Sequence, residues 1–225
     1  TPWKLATLNP IPKQNKSPTY PTDLRPIALL STLSKLYERL VQNILYNHTH
    51  SNNLLPPEQI AFAKGKSPDI HLLSLTQSLR THATSKGFSF LACLDIKKAY
   101  NCVWHKGLIF KLLRLGFPPL AVRFVENWLA NRRYRTRVLG SLSPTREYSR
   151  GLPQGLVLSC ILFNLFFSDV VNSLESQARL FADDLALEAS CHSETLNDKA
   201  DALQRDFTRI AVWCRHWRLD PTNKD

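Results

Sequence analysis

Apolar residues recur at helical spacing in several stretches of the chain. From about residue 31 to 47 they occur every three or four positions, which predicts an amphipathic helix. Ser67 followed by Pro68 is a typical helix start and Gly87 a typical end, so a second helix is predicted between them. Further helices are predicted at about 105–115, 118–131, 156–174 and 196–217. The apolar stripe of the last one fits a coiled-coil seam or, more commonly, a helix packed under a sheet.

Two other stretches are typical of strands, and both carry acids where they end. Residues 88–96 are mostly apolar with Asp95 near the end, as in a buried strand that delivers a carboxylate to a cleft. Residues 178–189 predict a strand–turn–strand hairpin with Asp183 and Asp184 at its tip. Shorter strands are predicted at 133–139 and 146–149. This mixture of helices and strands indicates an α+β fold.

Composition narrows the class of protein only moderately. Hydrophobic residues make up 44% and charged residues 21%, as in a globular protein. The net charge of +11 favours a polyanionic partner or is simply a basic, soluble surface. The longest apolar run, Leu156–Phe167, is too short to cross a membrane, so no membrane partner is expected.

The cysteines and the N-terminus bear on where the protein works. Five scattered cysteines without a Cys-x-x-Cys pair favour a reduced, intracellular protein over a disulfide framework or a zinc module. No signal peptide precedes the first elements, so secretion is not expected. Because the chain contains no methionine, we expect it to be an excerpt of a longer polypeptide.

The acids suggest metal-assisted chemistry once they are considered together. Asp183 and Asp184 alone are most simply explained as a solvated turn, which suits aspartate. Asp95 ends a different apolar strand, where an acid without a partner or a metal is costly. If the two strands are neighbours, three carboxylates converge. Magnesium binds through one or two carboxylates plus substrate phosphates, and two ions ~3.5–4 Å apart can support phosphoryl transfer.

Five segments resemble motifs of reverse transcriptases from non-LTR (LINE-type) retrotransposons. The first palm motif is similar to LDIKKAYNCVWH at 94–105, and the second to GLPQGLVLS at 151–159. The aromatic-Ala-Asp-Asp box is similar to FADD at 181–184. The fingers motifs are similar to IPK at 11–13 and LRPIALL at 24–30. Their order and spacing follow the family over almost the whole chain, so together they form a strong signal.

This resemblance implies a role for each matching residue. The metal ligands for two Mg²⁺ ions, with Mn²⁺ as a substitute, would be Asp95, Asp183 and Asp184. The residues implied to bind the incoming nucleotide are Lys13, Arg25, Ile96, Tyr100, Gln154 and Gly155. Tyr100 would exclude a ribose 2′-hydroxyl, although a packed core tyrosine is the alternative. Arg25 has the planar fork that suits a triphosphate.

Three arginines form a separate candidate surface for nucleic acid. If residues 133–137 are a strand, Arg133, Arg135 and Arg137 share one face. That row suits a template–primer backbone, or it is a solvated face.

For the fold, the resemblance implies a right-hand polymerase core with fingers at residues 1–87 and a palm at 88–225. The palm should have an antiparallel sheet with helices on one face and the acids on the other, and the thumb should be absent. The implied partners are an RNA template, a DNA primer and deoxynucleoside triphosphates. The implied location is the nucleus, the cytoplasm or both.

Several residues depart from the family pattern, and they leave the activity of this copy open. The differing positions are Ala61, Ala63, Asn101, Leu156 and Cys160. None removes a candidate carboxylate. One alternative is therefore a divergent fragment, catalytically weak or inactive, that only binds nucleic acid. A second alternative is another palm polymerase, such as an intron-encoded enzyme or an RNA-templated RNA polymerase.

Overall fold

A computed structural model of the chain describes residues 2–13, 19–62 and 65–220. Ala63 lies outside the described residues. Within these ranges the strands are β1 (Leu5–Pro12), β2 (Leu24–Leu29), β3 (Phe88–Asp95), β4 (Arg133–Val138), β5 (Ser141–Leu142), β6 (Arg146–Glu147), β7 (Gln177–Phe181) and β8 (Asp184–Cys191). The α-helices are α1 (Thr32–Ser51), α2 (Pro68–Thr84), α3 (Ala99–Cys102), α4 (His105–Arg114), α5 (Pro119–Leu129), α6 (Val157–Phe167) and α7 (Leu196–His216).

The chain divides into two compact units whose segments alternate along the sequence. The first unit comprises Thr1–Asn52 and Tyr100–Leu165, and the second comprises Asn53–Ala99 and Phe166–Asp225. The predicted division of the chain at residue 87 into fingers and palm is a functional one, and it stays a prediction.

The first unit is organised around a sheet in the order β2-β1-β4-β5, with β6 also paired to β4. β1 runs antiparallel to β2 and parallel to β4. The predicted helix at 31–47 is confirmed as α1, and the Ser31 hydroxyl accepts a hydrogen bond from the amide of Ser34 at its start. Four of the five side chains on its predicted apolar stripe are exposed, from 58% at Leu36 to 65% at Leu33, whereas Leu45 is buried at 1%.

A polar cluster lies on the buried side of α1. Glu38 is 1% exposed and accepts hydrogen bonds from the Trp128 indole at 2.9 Å and from Arg132 at 3.4 Å. The Arg132 guanidinium also stacks on the Trp128 ring, 3.9 Å from its centroid. Burial lowers the pKa of Arg132, and the Glu38 carboxylate opposes that shift. The cluster ties α1 to the end of α5, so its function is structural.

The second unit contains a three-stranded antiparallel sheet in the order β3-β8-β7. The predicted strand at 88–96 and the predicted hairpin at 178–189 are both confirmed by this sheet. Ser67 and Pro68 start α2 as predicted, since the Ser67 hydroxyl accepts from the Asp69 amide. Leu203, Ile210 and Cys214 of α7 are buried, as expected for a helix packed against a sheet.

Helix α6 is the most apolar element and is buried along most of its length, as the sequence predicts. It is shorter than predicted, because residues 168–171 tighten into a 3₁₀ turn. None of the helices in the described ranges has both the length and the apolar character that a membrane span requires.

Candidate active site

The edge of the sheet in the second unit brings two of the candidate acids together. In the β3–β8 ladder, Asp95 is the direct cross-strand partner of Asp184. Residues directly opposite in an antiparallel pair have Cβ atoms only ~4.5–5.5 Å apart and share a face of the sheet. Asp95 is half-buried and Asp184 is exposed. The register therefore places two carboxylates side by side at the end of neighbouring strands.

Asp183 lies one residue earlier, in the tight turn that joins β7 to β8. Phe181 and Asp184 pair across this hairpin, so Ala182 and Asp183 form its two-residue loop. The backbone of Ala182 has a φ of +56°, in the left-handed region that residues with a Cβ rarely adopt. Asp183 is half-buried in this loop. The conformation of this strained turn therefore determines the positions of Asp183 and Asp184.

The described residues contain no group of three or more His, Cys, Asp or Glu side chains arranged to hold a metal ion. The donors present still fit magnesium, which takes one or two protein carboxylates and fills its other positions with phosphate oxygens and water. Like charges directly opposite in a sheet are also destabilising, so a bound cation would relieve the Asp95–Asp184 pair. The phosphates of a bound nucleotide would therefore supply ligands that the carboxylates do not provide.

Helix α2 lies on the same face of the sheet as the acids. Glu188 of β8 shares the face of Asp184 because the two are four residues apart in a regular strand. The Ser78 hydroxyl of α2 donates to Glu188 Oε1, and Arg179 Nη2 of β7 forms a 2.7 Å ion pair with Glu188 Oε2. The expected arrangement, with helices only on the face opposite the acids, therefore differs from the structure. Because Ser78 of α2 is a polar partner for Glu188, this helix can cover the part of the face that carries Glu188.

Ile96 is the nucleotide-binding candidate that belongs to the second unit, and it directly follows β3. Its side chain is 3% exposed, and its carbonyl accepts a hydrogen bond from the Ala99 amide at 3.2 Å. The side chain is thus part of the core, and a role in binding would belong to its backbone.

Tyr100 belongs to the first unit and lies on an aromatic platform. Its ring stacks on Phe163 of α6 with centroids 4.2 Å apart and planes 13° from parallel. Burial raises the pKa of the Cys160 thiol, while a hydrogen bond with Tyr100 opposes that rise. The tyrosine is half-buried. Its ring is therefore held in one orientation, as a gate beside a sugar would require, although packing alone gives the same contacts.

The loop at 151–155 is held between two backbone segments of the first unit. The Leu152 amide donates to the Tyr100 carbonyl at 2.7 Å, and the Gln154 carbonyl accepts from the Ala28 amide of β2 at 2.8 Å. Gly151 has a φ of +86°, and an added Cβ would lie 2.5 Å from the Asn101 carbonyl oxygen. Only glycine allows this approach. The structure thus brings Gln154 and Gly155 close to β2 and to the segment of Tyr100.

Lys13 and Arg25 lie together at the end of the β1–β2 hairpin. Arg25 is opposite Ile11 in the ladder, and the Lys13 amide donates to the Asp23 carbonyl at 2.8 Å. Arg25 is exposed and Lys13 is half-buried. Two cations at one hairpin end can face the same phosphate group.

The arginine row is confirmed as part of a strand, β4. Arg133, Arg135 and Arg137 alternate with Tyr134 and Thr136, so they share one face. Arg133 and Arg137 are exposed, whereas Arg135 is half-buried. The two exposed side chains are available to a phosphate backbone.

Sequence reasoning missed Gln59, whose buried side chain contacts the turn that carries the aspartates. Its position shortly after Pro56-Pro57, among apolar residues, is the only local signal that sets it apart. A polar side chain among apolar neighbours suggests a buried hydrogen-bond partner but does not identify it.

The fold is similar to that of a solved telomerase. Apo telomerase from Candida tropicalis, truncated from its C-terminal domain, superposes with a TM-score of 0.63. The match covers 99% of this chain and 51% of the telomerase chain at 11% sequence identity, so it concerns the fold alone. The chain belongs to the reverse transcriptase (RNA-dependent DNA polymerase) family, which it matches over residues 11–224.

Similar curated proteins come from non-LTR retrotransposons, which confirms the resemblance found in the sequence. The "probable RNA-directed DNA polymerase from transposon BS" of Drosophila melanogaster is 34% identical over 96% of this chain. The RNA-directed DNA polymerase from the mobile element jockey of the same species is 30% identical over 96%. The chain spans about a quarter, 24%, of the length of each relative.

Proposed function

We propose that this chain is the catalytic core of an RNA-directed DNA polymerase from a non-LTR retrotransposon. It extends a DNA primer with deoxynucleoside triphosphates on an RNA template. The observation that carries the proposal is the cross-strand pairing of Asp95 with Asp184, beside the strained turn that holds Asp183. The relatives' names as RNA-directed DNA polymerases support the same activity.

The three aspartates are the proposed ligands of two magnesium ions. Bound there, magnesium would lower the cost of deprotonating the primer hydroxyl and would neutralise charge on the phosphates. The contribution of the chain is positional, because phosphoryl transfer depends on alignment and charge rather than on covalent catalysis. Asp95 is fixed by the β3–β8 ladder, and Asp184 by both of its neighbouring strands.

The nucleotide is proposed to contact the residues that match the family's nucleotide-binding positions. Arg25 and Lys13 bind the triphosphate, Gln154 and Gly155 lie near the sugar and base, and the backbone of Ile96 faces the phosphates. Tyr100 is proposed to exclude a 2′-hydroxyl, supported by the rigid stacking on Phe163. In this proposal residues 1–87 act as fingers and residues 88–225 as palm.

The nucleic acid is proposed to bind a basic surface that includes the exposed part of β4. The net charge of +11 gives a sequence-independent attraction to phosphates, which weakens as salt rises. Arg133, Arg135 and Arg137 are the proposed contacts. The protein is proposed to act on RNA and DNA inside the cell, in the nucleus or the cytoplasm. Its five free cysteines support this location, because thiols stay reduced in those compartments.

Primer extension on an RNA template tests this function. The full-length protein should add deoxynucleotides in the presence of Mg²⁺, and Asp183→Asn should abolish the addition. If the wild-type protein binds template–primer but adds no nucleotide, the activity proposal is wrong. The protein is then a nucleic-acid-binding relic.

Sugar selectivity tests the assignment of Tyr100. Tyr100→Ala removes the ring beside the proposed sugar site, so incorporation of ribonucleotides should rise relative to deoxynucleotides. Tyr148→Ala is a matched control, since Tyr148 is also an aromatic residue of the first unit in contact with another ring, that of Tyr134. Unchanged selectivity in Tyr100→Ala would mean that the tyrosine only packs against Phe163.

A further inference from the structure

Gln59 lies beside the hairpin turn that carries the adjacent aspartates, far from it in sequence. Its side chain is 1% exposed. Residues 58–60 form a short parallel bridge with β7, in which the Ile60 amide donates to the Leu180 carbonyl and the Leu180 amide donates to the Glu58 carbonyl. The segment that carries Gln59 is therefore fixed against the strand that leads into the turn.

The amide group of Gln59 bonds to both sides of one residue in that turn. Its Oε1 accepts a hydrogen bond from the Ala182 amide at 3.2 Å, and its Nε2 donates to the Ala182 carbonyl at 3.5 Å. The same Oε1 accepts from the Ala61 amide at 3.1 Å, which orients the side chain. The side chain thus bonds the backbone before and after the Cα of Ala182.

Ala182 is the residue whose conformation most needs such support. Its φ of +56° is unfavourable for a residue with a Cβ, and it persists only where surrounding contacts determine it. Ala182 is 8% exposed, so water cannot readily replace the bonds that Gln59 supplies. Asp183 and Asp184 follow directly, and a change in the backbone of Ala182 would move both carboxylates.

We propose that Gln59 is a positioning residue, which holds the Ala182 turn so that Asp183 and Asp184 keep the geometry needed for nucleotide addition. The inference rests on the proposed polymerase function for its effect on rate, but the effect on the turn is independent of it. Residues that orient metal-binding side chains typically change activity ~10- to 100-fold when they are replaced.

Gln59→Met tests the proposal because methionine keeps the length of the side chain and removes both hydrogen-bonding groups. Hydrogen–deuterium exchange should increase in the peptide that contains residues 181–185, while the peptide containing α7 stays unchanged. In primer extension, kcat should fall ~10- to 100-fold with little change in the KM for the nucleotide, since the residue acts on alignment rather than on binding.

A second substitution separates turn geometry from general loss of stability. Glycine adopts a positive φ without strain, so Ala182→Gly in the Gln59→Met protein should recover part of the lost kcat. A general packing defect would not be repaired by removing the buried methyl group of Ala182, because that removal takes away further packing. Gln77→Met is the matched control, because Gln77 is an exposed residue of α2 in the same unit.

The two measurements keep the two proposals distinguishable. Wild-type protein that extends no primer contradicts the polymerase function, while the exchange experiment still decides whether Gln59 holds the turn. The positioning role is overturned if exchange at residues 181–185 is the same in wild type and Gln59→Met. It is equally overturned if the loss of kcat in Gln59→Met is no greater than in Gln77→Met.

Discussion

Two acids of β8 have opposite surroundings, although both side chains lie on the same face of one sheet. Glu188 is 3% exposed and is neutralised by Arg179 at 2.7 Å, with Ser78 donating to its other oxygen. Asp184, four residues earlier, is exposed and lies opposite a second carboxylate, Asp95. Glu188 is thus paired with a cation, whereas Asp184 lies opposite another acid.

This difference separates structural charge from functional charge. A buried carboxylate that has a cation and a hydroxyl as partners needs no bound ion or water from solution. A like-charged cross-strand pair costs stability unless a cation binds, and folded proteins accept such local costs mainly at functional sites. The comparison therefore predicts that substitutions at Glu188 change stability, whereas substitutions at the acid pair change activity and metal response.

The largest effect on stability is expected from removing Glu188. Glu188→Leu leaves the Arg179 guanidinium buried without its carboxylate, which typically destabilises a protein by ~3–5 kcal/mol. Urea denaturation measures the change in the free energy of unfolding. In the double variant Arg179→Met with Glu188→Leu, most of the loss should disappear, because an apolar pair replaces the ion pair. Equal instability of the single and double variants would contradict the assigned role of the pair.

A smaller change of opposite sign is expected at Asp184. Without divalent cations, Asp184→Asn should raise the free energy of unfolding by ~0.2–1 kcal/mol, because it removes a like-charged cross-strand pair. Adding Mg²⁺ should raise the melting temperature of the wild type more than that of the variant. A wild-type melting temperature that does not respond to Mg²⁺ or Mn²⁺, with or without nucleotide, would argue against a metal site here.

The smallest effect concerns Glu175, an exposed acid of the same unit. Hydrogen bonds from Arg205 and Arg209 lower the pKa of Glu175 to about 2. A lowered pKa in the folded state stabilises the protein above the unfolded value near 4.5, and this contribution is lost as pH falls toward 2. Glu175→Gln should therefore lose less stability than wild type over that acid range, as measured by urea midpoints. Parallel curves for the two proteins would contradict this account.

The features predicted correctly are those encoded by local patterns. The apolar period predicts α1 and α7, and the apolar residues on both sides of Asp183 and Asp184 predict the β7–β8 hairpin. The sequence predicts the convergence of Asp95 with Asp184 only if their strands are neighbours, and the β3–β8 ladder meets that condition. The family motifs then supplied an interpretation for this edge.

Contacts between distant segments could not be predicted in the same way. Arg132 appears in the sequence as one of a run of basic residues, but it stacks on Trp128 and pairs with Glu38, more than 90 positions away. Gln59 bonds to a turn 123 positions later. Single polar residues do not reveal their partners, because the pairing depends on packing of the whole unit.

Primer extension as a function of Mg²⁺ concentration tests the central claim most directly. The full-length wild-type protein should extend a DNA primer on an RNA template only when Mg²⁺ is present, and chelation should stop the reaction reversibly. Asp95→Asn should lower the maximal rate by ~10³-fold, as expected when several kcal/mol of charge stabilisation is lost. Asp198→Asn, at an exposed position of α7, should match wild type. Extension that persists in the chelator, or an Asp95→Asn rate equal to that of Asp198→Asn, would contradict the account.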